Sequence, residues 1–160
     1  MKKIIFIYLL LVVVLGSFVL IKSGYIKIPS SNLTQNTNQA YVEVNNNKIK
    51  LLLAKTPQEQ MAGLSNKDKL DAESGMLFVF KQKDYVQFWM KNMKFAIDMI
   101  YISDNKIVDV FQNLKPPSDQ KSIQIYRPRE KANFVLQINA GLAQKYKIKP
   151  GDKITLKNIK

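Results

Sequence analysis

The chain has 160 residues, with 25 Lys and Arg against 12 Asp and Glu, a formal net charge of +13, and neither cysteine nor histidine. Without those two residue types there is no disulfide, no lipid-bearing cysteine, no Ser-His-Asp or Cys-His catalytic pair and no ordinary zinc site. The carboxylates form no Asp-rich calcium loop, so neither a cofactor nor a metal is expected. Excess positive charge favours anionic surfaces such as lipid head groups, envelope polymers or nucleic acid. The lysines are scattered along the chain with no basic stripe or base-stacking motif, so nucleic acid is not the expected partner.

Ile4 to Ile21 runs eighteen residues without a charge, behind Lys2 and Lys3. That length suits a helix crossing the hydrocarbon layer and exceeds the usual apolar region of a cleaved signal. The nearest approach to a small-residue cleavage site, Val14-Leu15-Gly16, would cut the apolar run short. Residues 1–22 are therefore expected to be an uncleaved transmembrane anchor; cleavage would make the protein secreted. The early lysines favour a cytoplasmic N-terminus and an extracytoplasmic body, although Lys22 and Lys27 dilute that bias. Residues 23–39 are rich in Ser, Asn, Thr and Gln and read as a polar tether. Residues 40–160, about 120 in number, suffice for one domain with a modest core.

That domain opens with YVEV (41–44), an asparagine turn (45–47) and KIKLLLA (48–54), which read as a hairpin. Thr56, Pro57 and Glu59 form a capping-box pattern, so a short helix is expected to Ala62, stopping at Gly63. Residues 65–74 read as an exposed loop pinned by Leu70. GMLFVF (75–80) and YVQFWM (85–90) flank KQKD as another hairpin-like pair, and AIDMIYIS (96–103) with KIVDVFQ (106–112) flanks Asp104-Asn105 as the clearest one. In the latter's second arm, Ile107, Asp109 and Phe111 alternate with Val108 and Val110, which predicts one half-exposed side. An irregular stretch with three prolines (113–130) leads to NFVLQIN (133–139), a short helix (140–147), a KPGD turn and KITL (153–156). Strands at intervals of about eight to twelve residues predict a mainly β, compact antiparallel sandwich or barrel-like domain with one or two short helices.

The polar residues of FWMKNMKFAID (88–98) are the best site candidates. On a strand, Trp89 faces away from Phe88 and Met90 and shares a side with Lys91. It reads either as a core tryptophan or as an aromatic platform which, with Lys91 and Asn92, binds a polar or anionic ligand. Asp98 interrupts an apolar run, so it either pairs within the fold, with Lys91 or Lys94 nearest in sequence, or faces a wet concavity. Tyr126 and Arg127 could add a stacking group and an anion clamp.

Gly63-Leu64-Ser65, the block from Gly75 to Phe80, Phe88-Trp89-Met90-Lys91-Asn92-Met93, Ile97-Asp98, Pro116, Tyr126-Arg127-Pro128, Val135-Leu136-Gln137, Ala140-Gly141 and Gly151-Asp152 occur in one order and spacing. In these the chain resembles the family called domain of unknown function 192, over about residues 41 to 156. The resemblance implies a mainly β domain, often exported or membrane-anchored, without an established biochemical role. Gln60, Ala62 and Lys67 stand where the family often carries arginine, and Leu136-Gln137 replaces a usual Leu-Glu pair, which weakens any carboxylate chemistry. The leading expectation is a membrane-anchored extracytoplasmic binding or accessory module for a small polar ligand, a glycan or an envelope protein, with an anionic envelope polymer as a further partner. The alternative is a hydrolase using Asp98 with Lys91 or Tyr126, for which no convincing second carboxylate is present.

Overall fold

Two asparagines make the first turn. Asn45 and Asn46 take φ of 47° and 62°, which asparagine tolerates better than most residues, so β1 (Tyr41–Val44) folds straight back onto β2 (Asn47–Ala54) with Val44 opposite Asn47. The computed structural model describes residues 38–65, 67–119 and 123–159. The expected anchor (1–22) and all but the last two residues of the expected tether (23–39) lie outside them.

The expected capping box is present at α1 (Pro57–Ala62). Thr56 Oγ1 accepts from Glu59 N at 3.2 Å, while the Glu59 carboxylate accepts from Thr56 N at 2.9 Å and Lys55 N at 2.8 Å. Gly63 ends the helix at φ 48°, its N–H donating to Glu59 O; a Cβ there would stand 3.3 Å from the Phe78 ring. No residue of α1 is buried, so the helix stands proud of the sheet it follows.

β3 (Ser74–Asp84) departs from the simple reading in two ways. It lies parallel to β2, the long connection through α1 supplying the crossover such a pair needs, and it runs past Phe80 to Asp84. The expected hairpin of 75–80 with 85–90 does not form. One edge of β3 is taken by β2 and the other by β8 (Ala132–Asn139), which leaves no edge for the segment that follows. That segment instead gives β4 (Phe88–Trp89), which pairs with β7 (Ile125–Tyr126) in a separate two-stranded ribbon.

β5 (Ile97–Ser103) and β6 (Lys106–Leu114) form the expected hairpin, Ser103 opposite Lys106 and Asp104 at φ 57°. A register shift after Tyr101 breaks the alternation, so that Ile107 packs on one face with Val110 while Phe111 packs on the other with Val108. The expected half-exposed side is therefore not built by simple alternation: Asp109 is buried, accepting from Val110 N and Arg129 N at 3.0 Å each. The second helix, α2 (Leu142–Lys145), is shorter than the eight residues expected, and β9 (Ile154–Lys157) adds to β1.

The main sheet has the order β6-β5-β8-β3-β2-β1-β9. It is mainly β and curls into a half-barrel, antiparallel but for the β2–β3 pair. Its two edges meet at one end: Ile107 N donates to Asp152 O at 2.9 Å and Gly151 N to Ile107 O at 2.8 Å. Both faces are covered. Val42, Ile49, Leu51, Leu77, Ile100 and Leu136 pack on one face with Ala143 and Ile148 over them. Met76, Phe78, Met99, Tyr101 and Val135 form the other, under Leu64, Leu70, Met90 and Met93. The loop expected to be held by Leu70 is so held, with Leu70 buried in this second cluster.

Candidate functional site

The ribbon lies over the second face, and its two-residue alternation decides what it presents. Phe88 turns inward, its ring edge-on to Phe78 at 4.8 Å and to Tyr101 at 6.3 Å. The Tyr101 hydroxyl donates to Tyr126 O at 3.0 Å and so ties the ribbon to β5. Burial first, then the nearby Asp109 charge, push this phenol above the ordinary tyrosine range, which keeps it a neutral donor. Trp89 and its partner Ile125 consequently turn outward, 56% and 57% exposed. Of the two readings of Trp89, the core one does not hold.

Beside Trp89 opens a recess of about 300 Å³ between the ribbon and the end of α1. Phe78, Phe80, Phe88, Leu64 and Met93 supply apolar wall, and Met61, 86% exposed, stands with Trp89 at its margin. The polar groups reaching it are neutral: Gln60, Ser65, Gln87 and Gln137. In a protein of net charge +13, no Lys, Arg, Asp or Glu is among the described residues of this lining. Gln60 is spent on the scaffold, its amide donating to Val79 O at 2.9 Å.

Gln137 is different. It lies on β8 between Met76 and Met99 of the neighbouring strands, in an otherwise apolar row, and is 5% exposed. Among the described residues no group hydrogen-bonds to its side chain, yet no polar atom is sealed away without a partner, so the amide meets solvent through the recess. An amide so placed offers a donor and an acceptor side by side to whatever enters.

The residues singled out in the sequence are divided by the fold. Trp89 edges the recess; Lys91 is exposed, and its carbonyl accepts from Ser65 Oγ at 3.4 Å. Asn92 takes φ 58° in the turn closed by Met93 N to Met90 O, which explains an asparagine there. Asp98 is fully buried on the opposite face of the sheet: Oδ1 accepts from Asn113 N at 2.7 Å and Oδ2 from Ala143 N at 2.8 Å. Its partners are thus backbone amides of β6 and α2 and not Lys91 or Lys94; Lys94 pairs with Asp68, whose carboxyl it holds below the usual range. Tyr126 borders a second, smaller recess with Met90 and Lys115, and the Arg127 guanidinium lies over the Tyr85 ring at 4.4 Å. Trp89, Lys91, Asn92, Asp98, Tyr126 and Arg127 therefore do not line one hollow.

Gln137 was not among the expected site residues. The signal was present, since a polar side chain interrupts an apolar strand in VLQI as Asp98 does in AIDMI, but both are buried, and only the backbone donors brought to Asp98 and the recess opening at Gln137 tell them apart. Among the described residues, no cluster of three or more Asp and Glu could hold a metal ion.

Comparison with known proteins agrees with this architecture. A crystal structure of a Sinorhizobium meliloti 1021 protein, to which a transcription-regulator role has been attributed, superposes with TM-score 0.66 at 28% identity, covering 74% of this chain and 92% of that one. A protein of unknown function from Novosphingobium aromaticivorans DSM 12444 gives TM-score 0.65 at 30% identity, covering 73% and 83%. Among curated proteins none matches. The profile of the DUF192 family, described as uncharacterized ACR, matches residues 40–156, nearly the whole half-barrel from Ala40 to β9, and the chain belongs to that family.

Proposed function

We propose that the protein is a ligand-binding module whose site is the recess beside Trp89, and that residues 1–22 tether it to a membrane with the half-barrel on the extracytoplasmic side. The observation that carries the binding reading is the joint placement of an exposed tryptophan and a nearly buried amide, without a partner among the described residues, in a hollow whose described lining carries no charge. Large aromatic faces left in solvent beside a concavity stack on flat or apolar ligand surfaces, and a few polar groups set orientation. Such a site suits a small uncharged ligand or a neutral glycan unit better than an ion. The tether rests on the eighteen uncharged residues behind Lys2 and Lys3. The surface lysines would supply a weaker, salt-sensitive attraction to anionic envelope polymer.

The hydrolase alternative draws no support from Asp98, which has no solvent exposure and both oxygens engaged. The test is a thermal-melting screen of the full chain against neutral envelope saccharides and small uncharged metabolites, with Trp89 emission, the chain's only tryptophan signal, as a second readout. A ligand should raise the melting temperature and perturb that emission, and the stabilisation should vanish in Trp89→Ala. Stabilisation that persists in Trp89→Ala would refute the recess as the site.

A further inference from the structure

Resting on that reading, we infer that Gln137 makes the recess selective for an uncharged ligand that pairs an apolar ring or chain with a carboxamide-like donor–acceptor group. Three observations converge on this class. The side-chain amide is nearly buried among Met76, Met99 and the aromatic wall, and has no partner among the described residues. Its flanks are apolar, with Phe78, Phe88 and Met93 on hand to cover a ring or chain. No charged group among the described residues lines the hollow, so an entering carboxylate would lose water against an amide that can donate but not neutralise, and an ammonium would find only neutral acceptors. A carboxamide, by contrast, presents a carbonyl to the Gln137 N–H and an N–H to the Gln137 carbonyl, satisfying both groups at once. The amide is thus the specificity determinant of the recess, and the aromatic wall supplies contact area without choosing between ligand charges.

Three near-isosteric probes isolate the selection: 2-phenylacetamide, phenylacetate and phenethylamine share a ring and reach but end in a neutral, an anionic and a cationic group. Each is titrated into the full chain at raised ionic strength, which suppresses general attraction to the basic surface, and binding is read from Trp89 emission excited beyond phenyl absorption. Phenylacetamide should bind about tenfold more tightly than either charged probe, the discrimination a matched hydrogen-bond pair provides. Gln137→Met, close to glutamine in size and apolar, should bring the three affinities together. Gln137→Glu should move the preference to phenethylamine. Melting temperatures of both variants within a few degrees of the parent establish that they fold. Equal affinity for all three probes in the parent, or an amide preference that survives Gln137→Met, overturns the role of Gln137 and leaves the recess as a binding site. No response of Trp89 to any probe overturns the ligand class together with the recess itself.

Discussion

Asp98→Asn isolates the group that the sequence marked most sharply and that the fold uses as a rivet. Its two oxygens accept from Asn113 N at 2.7 Å and Ala143 N at 2.8 Å, joining β6 and α2 to β5 in a place without solvent. Asparagine keeps the shape and one acceptor, but its NH₂ must then face one of the two N–H groups, leaving two donors opposed. A hydrogen bond to a charged group contributes about 1.5–3 kcal/mol and a buried unsatisfied donor costs about 1–3 kcal/mol; since the two figures overlap and the site relaxes in part, a net loss of about 3 kcal/mol is expected. For a domain of this size each kcal/mol moves the melting temperature by about 4 °C, so melting should fall by roughly 12 °C. Asp98→Ala, which strips both acceptors, should fall at least as far. Thermal denaturation followed by circular dichroism and Trp89 emission measures it, and titration below the transition should find ligand affinity intact, because Asp98 and Gln137 lie on opposite faces of the sheet. A drop smaller than about 4 °C would refute the rivet. Unchanged melting with lost binding would return Asp98 to the site.

Gly75→Ala should destabilise the domain by about 1–3 kcal/mol, since a Cβ there would meet Leu136 Cδ1 at 2.9 Å and Gln137 O at 3.0 Å with no room in the β3–β8 pair; urea denaturation reads it, and a neutral result would contradict the close approach. Tyr101→Phe should cost about 1 kcal/mol and loosen the ribbon, seen as faster amide exchange at β4 and β7 with the main sheet unaffected. Hydrogen bonds from Thr56 N and then Lys55 N hold the Glu59 carboxyl below the usual glutamate range. A carboxylate with a lowered folded pKa stabilises above its unfolded value and loses that contribution as pH falls through the folded one. On acidification the backbone amide signals of Lys55 and Thr56 should therefore titrate at a pH below ordinary glutamate, with fraying of α1, and Glu59→Gln should abolish that step.

Much of this architecture is local chemistry and could be read from the chain. The asparagine turn before β2, the Thr56–Glu59 capping box, the Gly63 stop and the Asp104-Asn105 hairpin each depend on a few adjacent residues whose backbone preferences and short-range hydrogen bonds act wherever the segment lies. The mainly β character follows from the same short-range signals, and the motif blocks from Gly63 to Asp152 carry the family. What the tertiary structure decided was partnership between distant segments. Which strand takes each edge of β3 depends on competition between β2, β8 and the residues after Asp84, and periodicity within one segment does not register that competition. The same holds for polar groups in apolar strands: Asp98 and Gln137 look alike in sequence, and only the arrival of β6 and α2 over one, and an open recess over the other, makes the first a structural anchor and leaves the second without a partner among the described residues. Burial is a property of what packs against a residue from elsewhere in the chain, and so the candidate site lies where the sheet, α1 and the ribbon come together.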